Sequence, residues 1–349
     1  MKSKVLVIGS NGFIGFRMVE LLIDKNFEVL CGISSNNRAY RVCTIKAEKI
    51  VLDITKKIDH KQFEGIDYII NCSTGNSNVI EKGTSNILDA CLDANVKKYI
   101  HLSSVDVYGR LDGEILEDSI MTPVTEYGKS KLTSENICKN YIKKGLNITI
   151  LRPSIVYGPD SDLWVTRICR RVSESNFSLS DKSNQGQCNL IFIDDLVNIC
   201  IEALDNKKTN NNIYNISSDE KLSWFEYYSF YKSGLNNKEL LKIKNHYMIF
   251  SKLYILDLIK KLALLILEYF KTFILNFANS NSIIKSVFKK TEKTLSINMN
   301  LNELDLVTRN AFYLSKNFSN DFSYRLKYNF NKGKNLSLSW YKSYFTFIK

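Results

Sequence analysis

Short apolar runs that end on glycine, serine or asparagine alternate with longer amphipathic stretches through the first half of this chain. Lys4–Ile8 (KVLVI) stops at Gly9, and apolar positions recur at helical spacing from Ile14 to Lys25. Further strands are predicted at Glu28–Ile33, at "DYIIN" (67–71), at "VKKYIHLSS" (96–104) and at "LNITILRPS" (146–154), with helices over Thr84–Asn95 and Ser130–Lys144. Strands separated by helices of this length build a parallel sheet covered by helices on both faces. The pattern predicts an α/β fold, a Rossmann-type doubly wound parallel sheet, over residues 1–160.

Beyond Asp160 the alternation is lost. Short apolar runs mix with polar turns over 161–245, and this part, 161–349, is expected to form a smaller, mixed C-terminal substrate lobe. Elements of about 187–215 are expected to return to the first domain. A long apolar segment occupies 247–277, yet its longest uncharged run, Leu262–Leu267, is six residues, far below the roughly 20 needed to span a bilayer. Two fates stay open for it: a helical hairpin packed on the body, or an interfacial helix in the headgroup layer.

Charge sharpens that choice. The net charge is +12, but residues 1–231 hold 28 Lys and Arg against 29 Asp and Glu, and residues 232–349 hold 20 against 7. Either the Lys-, Asn- and Ile-rich composition of the chain produces the excess, or a basic lobe meets an anionic surface such as a membrane or a diphosphate ligand. Eight cysteines without a C-x-x-C pair and three histidines leave no zinc pattern, so no metal is expected. Reduced thiols and a start that runs directly into a strand point to a cytoplasmic protein, with the inner face of the membrane and a homodimer as open alternatives.

The chemistry begins at "VLVIGSNGFIG" (5–15), which sets Gly9, Gly12 and Gly15 between a strand and a helix. The first glycine permits the tight turn, the second lets backbone approach a pyrophosphate, and the third lets the helix pack on the sheet. Dinucleotide binding is predicted here, with Asn11, Phe13 and Ile14 completing the loop. The end of the second strand, "LCGISSNNR" (30–38), has no acid to grip a ribose 2′-hydroxyl and offers Ser34, Ser35 and Arg38 instead. Arg38 suits a 2′-phosphate, so the cofactor is NAD(P), leaning to NADP. Asp53, with Ile54 beside it, is placed to meet the adenine amino group; the alternative is a helix cap.

In "EYGKSKL" (126–132), Tyr127 and Lys131 stand one helical turn apart. A phenol with a reference pKa near 10 is a poor base at neutral pH. A neighbouring ammonium and an oxidised nicotinamide would lower that value. A serine upstream at a strand end, in "SSVDVYG" (103–109), would hold the substrate oxygen.

"GSNGFIG", "SSVDVYG", "YGKSK", "LRPSIVYGP" and "FIDDLV" stand in the order and spacing of the extended short-chain dehydrogenase/reductases. Within that group the chain resembles the NAD-dependent epimerase/dehydratase family, which works on nucleotide-activated sugars. The resemblance covers about 1–215 and resumes at "FSYRLKYNFNKGKNLSLSWY" (322–341), which looks like the family's C-terminal ending. It implies Ser104 as the catalytic serine, four residues before Tyr108, with Tyr127 as acid/base and Lys131 as its partner. The family's sugar dehydratases carry Asp-Glu where this chain has Val105-Asp106, so Asp106 is read as a substrate-pocket or loop residue. The arginine that often precedes the family's paired aspartates is replaced by Gln187, Cys188 and Asn189. Arg167, Arg170 and Arg171 are put forward as alternative grips for a diphosphate, and Asp194 and Asp195 as caps of the helix that follows.

The resemblance thus implies an enzyme: an NAD(P)-dependent C4 epimerase or 4-keto reductase of a nucleotide-sugar, in surface polysaccharide biosynthesis. Three alternatives remain open. The substrate is a lipid-linked sugar or hydrophobic alcohol at the membrane; the enzyme is a 4,6-dehydratase; or the chain is a non-catalytic dinucleotide-binding scaffold, against which the intact Ser104, Tyr127 and Lys131 argue. No basic patch interleaved with aromatics marks a nucleic-acid partner.

Overall fold

The apolar runs of the first half fold as strands of one parallel sheet, β1 (Lys4–Ile8), β2 (Glu28–Ile33), β3 (Glu48–Val51), β4 (Tyr68–Asn71), β5 (Lys98–Leu102), β6 (Ile148–Pro153) and β7 (Ile213–Ile216). A computed structural model describes residues 2–35, 39–174, 177–235, 240–269 and 299–346. The sheet order is β7-β6-β5-β4-β1-β2-β3, with Leu6 opposite Leu30 and Ile69, and Ile100 opposite Thr149. The order runs outward in both directions from the β1–β4 neighbourhood, which makes the sheet doubly wound and puts a switch point beside Gly9.

Helices α1 (Phe13–Asp24), α2 (Gly83–Asp93), α3 (Glu126–Lys143) and α4 (Ile193–Asp205) flank the sheet, α1 packing with α4 and α2 with α3. Strands β4, β5 and β6 are buried at every position, which is why they read as unbroken apolar runs. β3 is an edge strand whose EKIV sequence stays largely exposed, and β7 is four residues in an asparagine-rich stretch. The strands predicted at 96–104 and 146–154 both start two residues early and end two residues and one residue late, respectively, because the flanking residues turn into loops at the sheet edge.

By its contacts the chain divides into two units: 1–161 with 189–220 and 311–340, and 162–188 with 221–310 and 341–349. In the sheet unit the paired aspartates at the start of α4 hold distant chain instead of capping their own helix. Phe192 is the N-cap residue, and no side chain caps there. Asp194 takes two hydrogen bonds from Arg17 of α1, at 2.7 and 2.9 Å. Asp195, fully buried, accepts from Tyr324 Oη (2.6 Å) and from the backbone N–H groups of Lys327 (2.9 Å) and Tyr328 (3.1 Å). The expectation of two caps is corrected: tertiary partners win over the local role. The strand Ala311–Tyr313 also joins this unit, pairing in parallel with Gly113–Ile115.

The second unit holds the helices Arg167–Ser173, Trp224–Gly234, His246–Tyr269 and Leu301–Thr308, with Trp224, Tyr227, Tyr228 and Tyr231 in its interior. Ser223 and Glu226 form a capping box at the start of the Trp224 helix.

Beneath α3 lies a buried polar network. Arg152 of β6 donates to both carboxylate oxygens of Glu135 of α3, at 2.8 and 2.6 Å, and neither side chain is more than 1% exposed. Ser103 Oγ donates to Glu135 (2.5 Å), Arg152 donates to Tyr108 Oη (2.6 Å) and to the Glu117 carbonyl (3.0 Å), and Tyr108 donates to Asn215 Oδ1 of β7 (2.7 Å). Removing one partner of such a pair leaves an uncompensated buried charge. Arg152→Ala is expected to lower stability by about 3–5 kcal/mol, measured by urea unfolding, and Glu135→Gln in the same background should recover part of that loss.

Candidate active site

The glycine loop sits at the carboxyl edge of the sheet. Gly9 adopts φ +78°, and a Cβ there would stand 2.9 Å from the Ser73 backbone nitrogen. A Cβ on Gly15 would lie 2.2 Å from the Gly9 carbonyl oxygen, so only glycine lets α1 pack this close. At Gly12 an added Cβ would meet nothing nearer than the Gly9 carbonyl oxygen, at 3.3 Å. The backbone N–H groups of Gly9 and Ser10 both donate to the Gly32 carbonyl, at 3.1 and 3.2 Å, which sews the loop to β2. Gly12 is the N-cap of α1, no side chain caps it, and the first turn, Phe13, Ile14 and Gly15 included, carries no acid. A positive helix end without a capping side chain, reached over a loop without side-chain bulk, fits a dinucleotide diphosphate.

Other residues predicted for the cofactor have settled partners. Asn11 Oδ1 accepts from the N–H groups of Arg41 (2.9 Å) and Val42 (3.4 Å) and so orders the chain after β2. Arg38 lies outside the described residues. Arg41, nearby in sequence, makes a two-pronged pair with Asp160, at 2.6 and 3.0 Å. Asp53 accepts from the Thr55 N–H (3.1 Å) and hydroxyl (2.7 Å), a local turn at the sheet edge. Ile54 is buried against Gly83, where a Cβ would come within 2.8 Å of its Cδ1.

The two serines at the end of β5 divide by environment. Ser103 is buried and tied to Glu135. Ser104 is half-buried and is the N-cap of the turn Val105–Tyr108, its Oγ accepting from the Asp106 N–H at 3.1 Å. It faces the Tyr127 phenol closely enough to draw that phenol down. Tyr127 stands in the first turn of α3 and Lys131 one turn later. Thr125 caps that helix, accepting from the Gly128 N–H at 2.9 Å, and donates its own hydroxyl to the Asp106 carboxylate. Gly128 is needed there, since a Cβ would stand 2.6 Å from the Asp106 carbonyl oxygen. Asp106 is therefore engaged in holding the helix that carries Tyr127.

Burial sets the charges. Tyr127 as a residue keeps 40% of its surface open, but its phenol oxygen is crowded by protein. Burial first, and the Asp106 carboxylate second, push the phenol up to about 12 against the pull of Ser104. The anticipated lowering by Lys131 does not prevail. That ammonium is 4% exposed, donates to the Leu102 carbonyl (2.7 Å) and lies 5.7 Å from the centre of the tyrosine ring. Burial draws Lys131 down to about 8, with Cys72, Cys138 and Glu135 opposing. A Cβ on Gly9 would also stand 3.0 Å from the Cys72 carbonyl group just after β4, and Lys131 pulls the Cys72 thiol down against its burial.

Three contributors escape a reading of motifs. Thr125 and Glu135 are Thr and Glu at a helix start and interior, ordinary in sequence; His101 is one polar residue in an apolar strand. His101 is buried and held neutral, first by burial and then by Lys131. Ser134 donates to the Lys131 carbonyl at 2.8 Å, so His101 Nε2–H must donate to Ser134 Oγ, 2.9 Å away.

The arginines proposed for a diphosphate lie in the second unit. Arg167 and Arg171 both bind Glu303, at 2.5 and 2.7 Å, and Arg171, 2% exposed, also donates to Tyr228. Arg170 is exposed, with its guanidinium 5.5 Å from the Phe345 ring centre.

Known proteins place this geometry in context. The sequence profile described as the NAD dependent epimerase/dehydratase family matches residues 5–217. A Bacillus subtilis protein named uncharacterized UDP-glucose epimerase YtcB is 29% identical over 188 residues, 45% of this chain and 57% of that protein. The N-acetyl-alpha-D-glucosaminyl-diphospho-ditrans,octacis-undecaprenol 4-epimerase of Escherichia coli O157:H7 is 24% identical over 255 residues, 68% of this chain and 74% of that protein. Among solved structures, UDP-glucuronic acid 4-epimerase from Bacillus cereus in complex with NAD matches with a TM-score of 0.61 at 25% identity, over 69% of this chain and 87% of that one.

The depressed Lys131 makes a testable prediction. The unfolded chain keeps this proton up to about 10.5, while the folded protein releases it near 8. Wild-type stability should therefore rise with pH across that window. At pH 7, Lys131→Met is expected to be more stable than wild type by about 2 kcal/mol, the lowered pKa less the hydrogen bond to Leu102. The gap should close toward pH 10, as measured by urea unfolding at both pH values.

Proposed function

The chain belongs to the NAD-dependent epimerase/dehydratase family, and from that premise we propose that it is a C4 epimerase of a nucleoside-diphosphate sugar. The observation that carries this reading is the placement of Tyr127 and Lys131 one turn apart on α3, with the Lys131 ammonium held by the Leu102 carbonyl at the end of β5, two residues before Ser104. A bound nicotinamide dinucleotide supplies the hydride acceptor and, when oxidised, a positive charge that favours the phenolate. The chain's own part is to orient the sugar and move a proton. Ser104 holds the C4 oxygen. Tyr127 takes the hydroxyl proton as the carbonyl forms and returns it when the hydroxyl re-forms on either face. Lys131 keeps a positive charge one helical turn away.

A 4-keto reductase is the second reading. It is favoured by the end of β2, where Ser34 and Ser35 follow Ile33 with no carboxylate to select NAD over NADP. A dehydratase is disfavoured because the Asp106 carboxylate accepts from Thr125 and supports the helix. Likeness to the undecaprenol-linked 4-epimerase keeps a lipid-linked diphospho-sugar as an alternative substrate class.

Mass spectrometry of the purified protein should release NAD or NADP. With a UDP-hexose, product should form with no net change in reduced cofactor; stoichiometric consumption of NADPH on a 4-keto sugar would replace the epimerase by the reductase. Tyr127→Phe should lower turnover by about 10²–10⁴, and a loss within tenfold rejects its proton-transfer role. Asp106→Asn removes a charge that raises the phenol, so the rising, acid-side limb of the pH–rate profile, where the Tyr127 base forms, should move to lower pH with turnover largely kept. Release of a 4-keto-6-deoxy sugar from the UDP-hexose by the wild-type protein, lost in that variant, would assign ring-proton abstraction to Asp106 and make the enzyme a dehydratase.

A further inference from the structure

The helix His246–Tyr269 leaves its large apolar side chains in water. Tyr247, Met248, Ile255, Leu258, Ile259 and Leu262 are between 49 and 70% exposed. At about 100° per residue these six fall within a single arc about 120° wide. The half-covered residues His246, Ile249, Leu253 and Asp257 repeat every three or four positions on the other side, and the helix Leu301–Thr308 packs against this helix. The helix is thus seated by one stripe, and among the described residues its opposite face, apolar apart from Ser251, is left open to water, more than the scattered exposed residues of an ordinary surface.

Charge identifies what covers it. The unit that contains this helix holds 20 Lys and Arg against 10 Asp and Glu, whereas the sheet unit holds 28 against 26. A second copy of the same basic unit would meet it with like charge; an anionic lipid surface would not. On the helical wheel Lys252 falls at one margin of the apolar arc, where a long cationic side chain reaches headgroups while its stem stays apolar. Tyr247 on the arc, with Tyr254 beside it, has the amphipathic ring that suits the headgroup layer. No described helix is long and apolar enough to cross a membrane, so this one can only lie in the surface plane.

We propose that the helix His246–Tyr269 docks this protein on an anionic bilayer, with the arc from Tyr247 to Leu262 immersed in the headgroup region. The inference is independent of the proposed catalysis, because binding is read without turnover. The test is co-sedimentation of the full-length protein with vesicles of 30% phosphatidylglycerol in phosphatidylcholine and with pure phosphatidylcholine, at 0.1 and 0.5 M salt. Partitioning should be at least about tenfold stronger on the anionic vesicles, a few basic side chains each adding about fivefold near such a surface, and should fall at the higher salt. Ile255→Glu with Leu258→Glu should abolish it while circular dichroism and the unfolding midpoint stay unchanged. Lys252→Glu should weaken it, and a Tyr254→Trp reporter should shift its emission to the blue on anionic vesicles. Absence of wild-type binding, equal binding to both vesicles, or undiminished binding by the double glutamate variant overturns the proposal. So does a dimer, found by sedimentation, that the glutamates dissociate and that ignores vesicles.

Discussion

The buried ion pair between Arg152 and Glu135 is the constraint that the candidate-site edge of the sheet rests on. Two charges taken out of water are tolerable only when geometry is good and the remaining donors and acceptors are satisfied. Here Ser103, Tyr108 and the Glu117 carbonyl complete the set. The pair bolts β6 to α3 and, through Ser103, to the end of β5. Ser104 follows Ser103 directly, and Lys131 precedes Glu135 by one helical turn. The same interaction therefore sets how far the serine lies from the tyrosine and the lysine, and supports the site from below as a functional constellation requires.

Above that anchor, burial pushes the two key groups in opposite directions on the pH scale. The phenol holds its proton more tightly than usual and the ammonium less tightly. At neutral pH the pair is phenol plus ammonium, and the lysine carries the more loosely held proton. Asp106 strengthens this order by raising the phenol while its carboxylate is fixed by Thr125. A single carboxylate thus positions the helix and biases the proton equilibrium of its first turn.

How much of this was readable from the chain follows the range of each interaction. Strands β1, β2 and β4–β6 are apolar runs because both of their faces are covered, and the three glycines announce themselves by spacing. β3 and β7 were harder, one a polar edge and the other four residues long. The resemblance implies Ser104 and not Ser103, and nothing near Ser103 in the chain shows that it is tied to Glu135, 32 residues on. Paired aspartates at a helix start look like caps; their partners Arg17 and Tyr324 lie 177 and 129 residues away. Arg167 and Arg171 look like anion grips at helical spacing until Glu303, 132 residues beyond Arg171, takes both. Thr125 is an ordinary threonine at a helix start, and nothing local shows that it also reaches Asp106.

The grip of Asp195 on the backbone at Lys327 and Tyr328 has a consequence for how the protein is born. The sheet unit is discontinuous, and its last portion, 311–340, is made after most of the second unit. On the ribosome, the fully buried Asp195 must wait for more than a hundred residues before its hydrogen-bond partners emerge. Until then the nascent sheet carries an unsatisfied carboxylate at the head of α4. Completion of the sheet unit is thereby postponed until residues 324–328 have been translated, so a ribosome that stalls before them leaves the sheet unfinished however well its seven strands are paired.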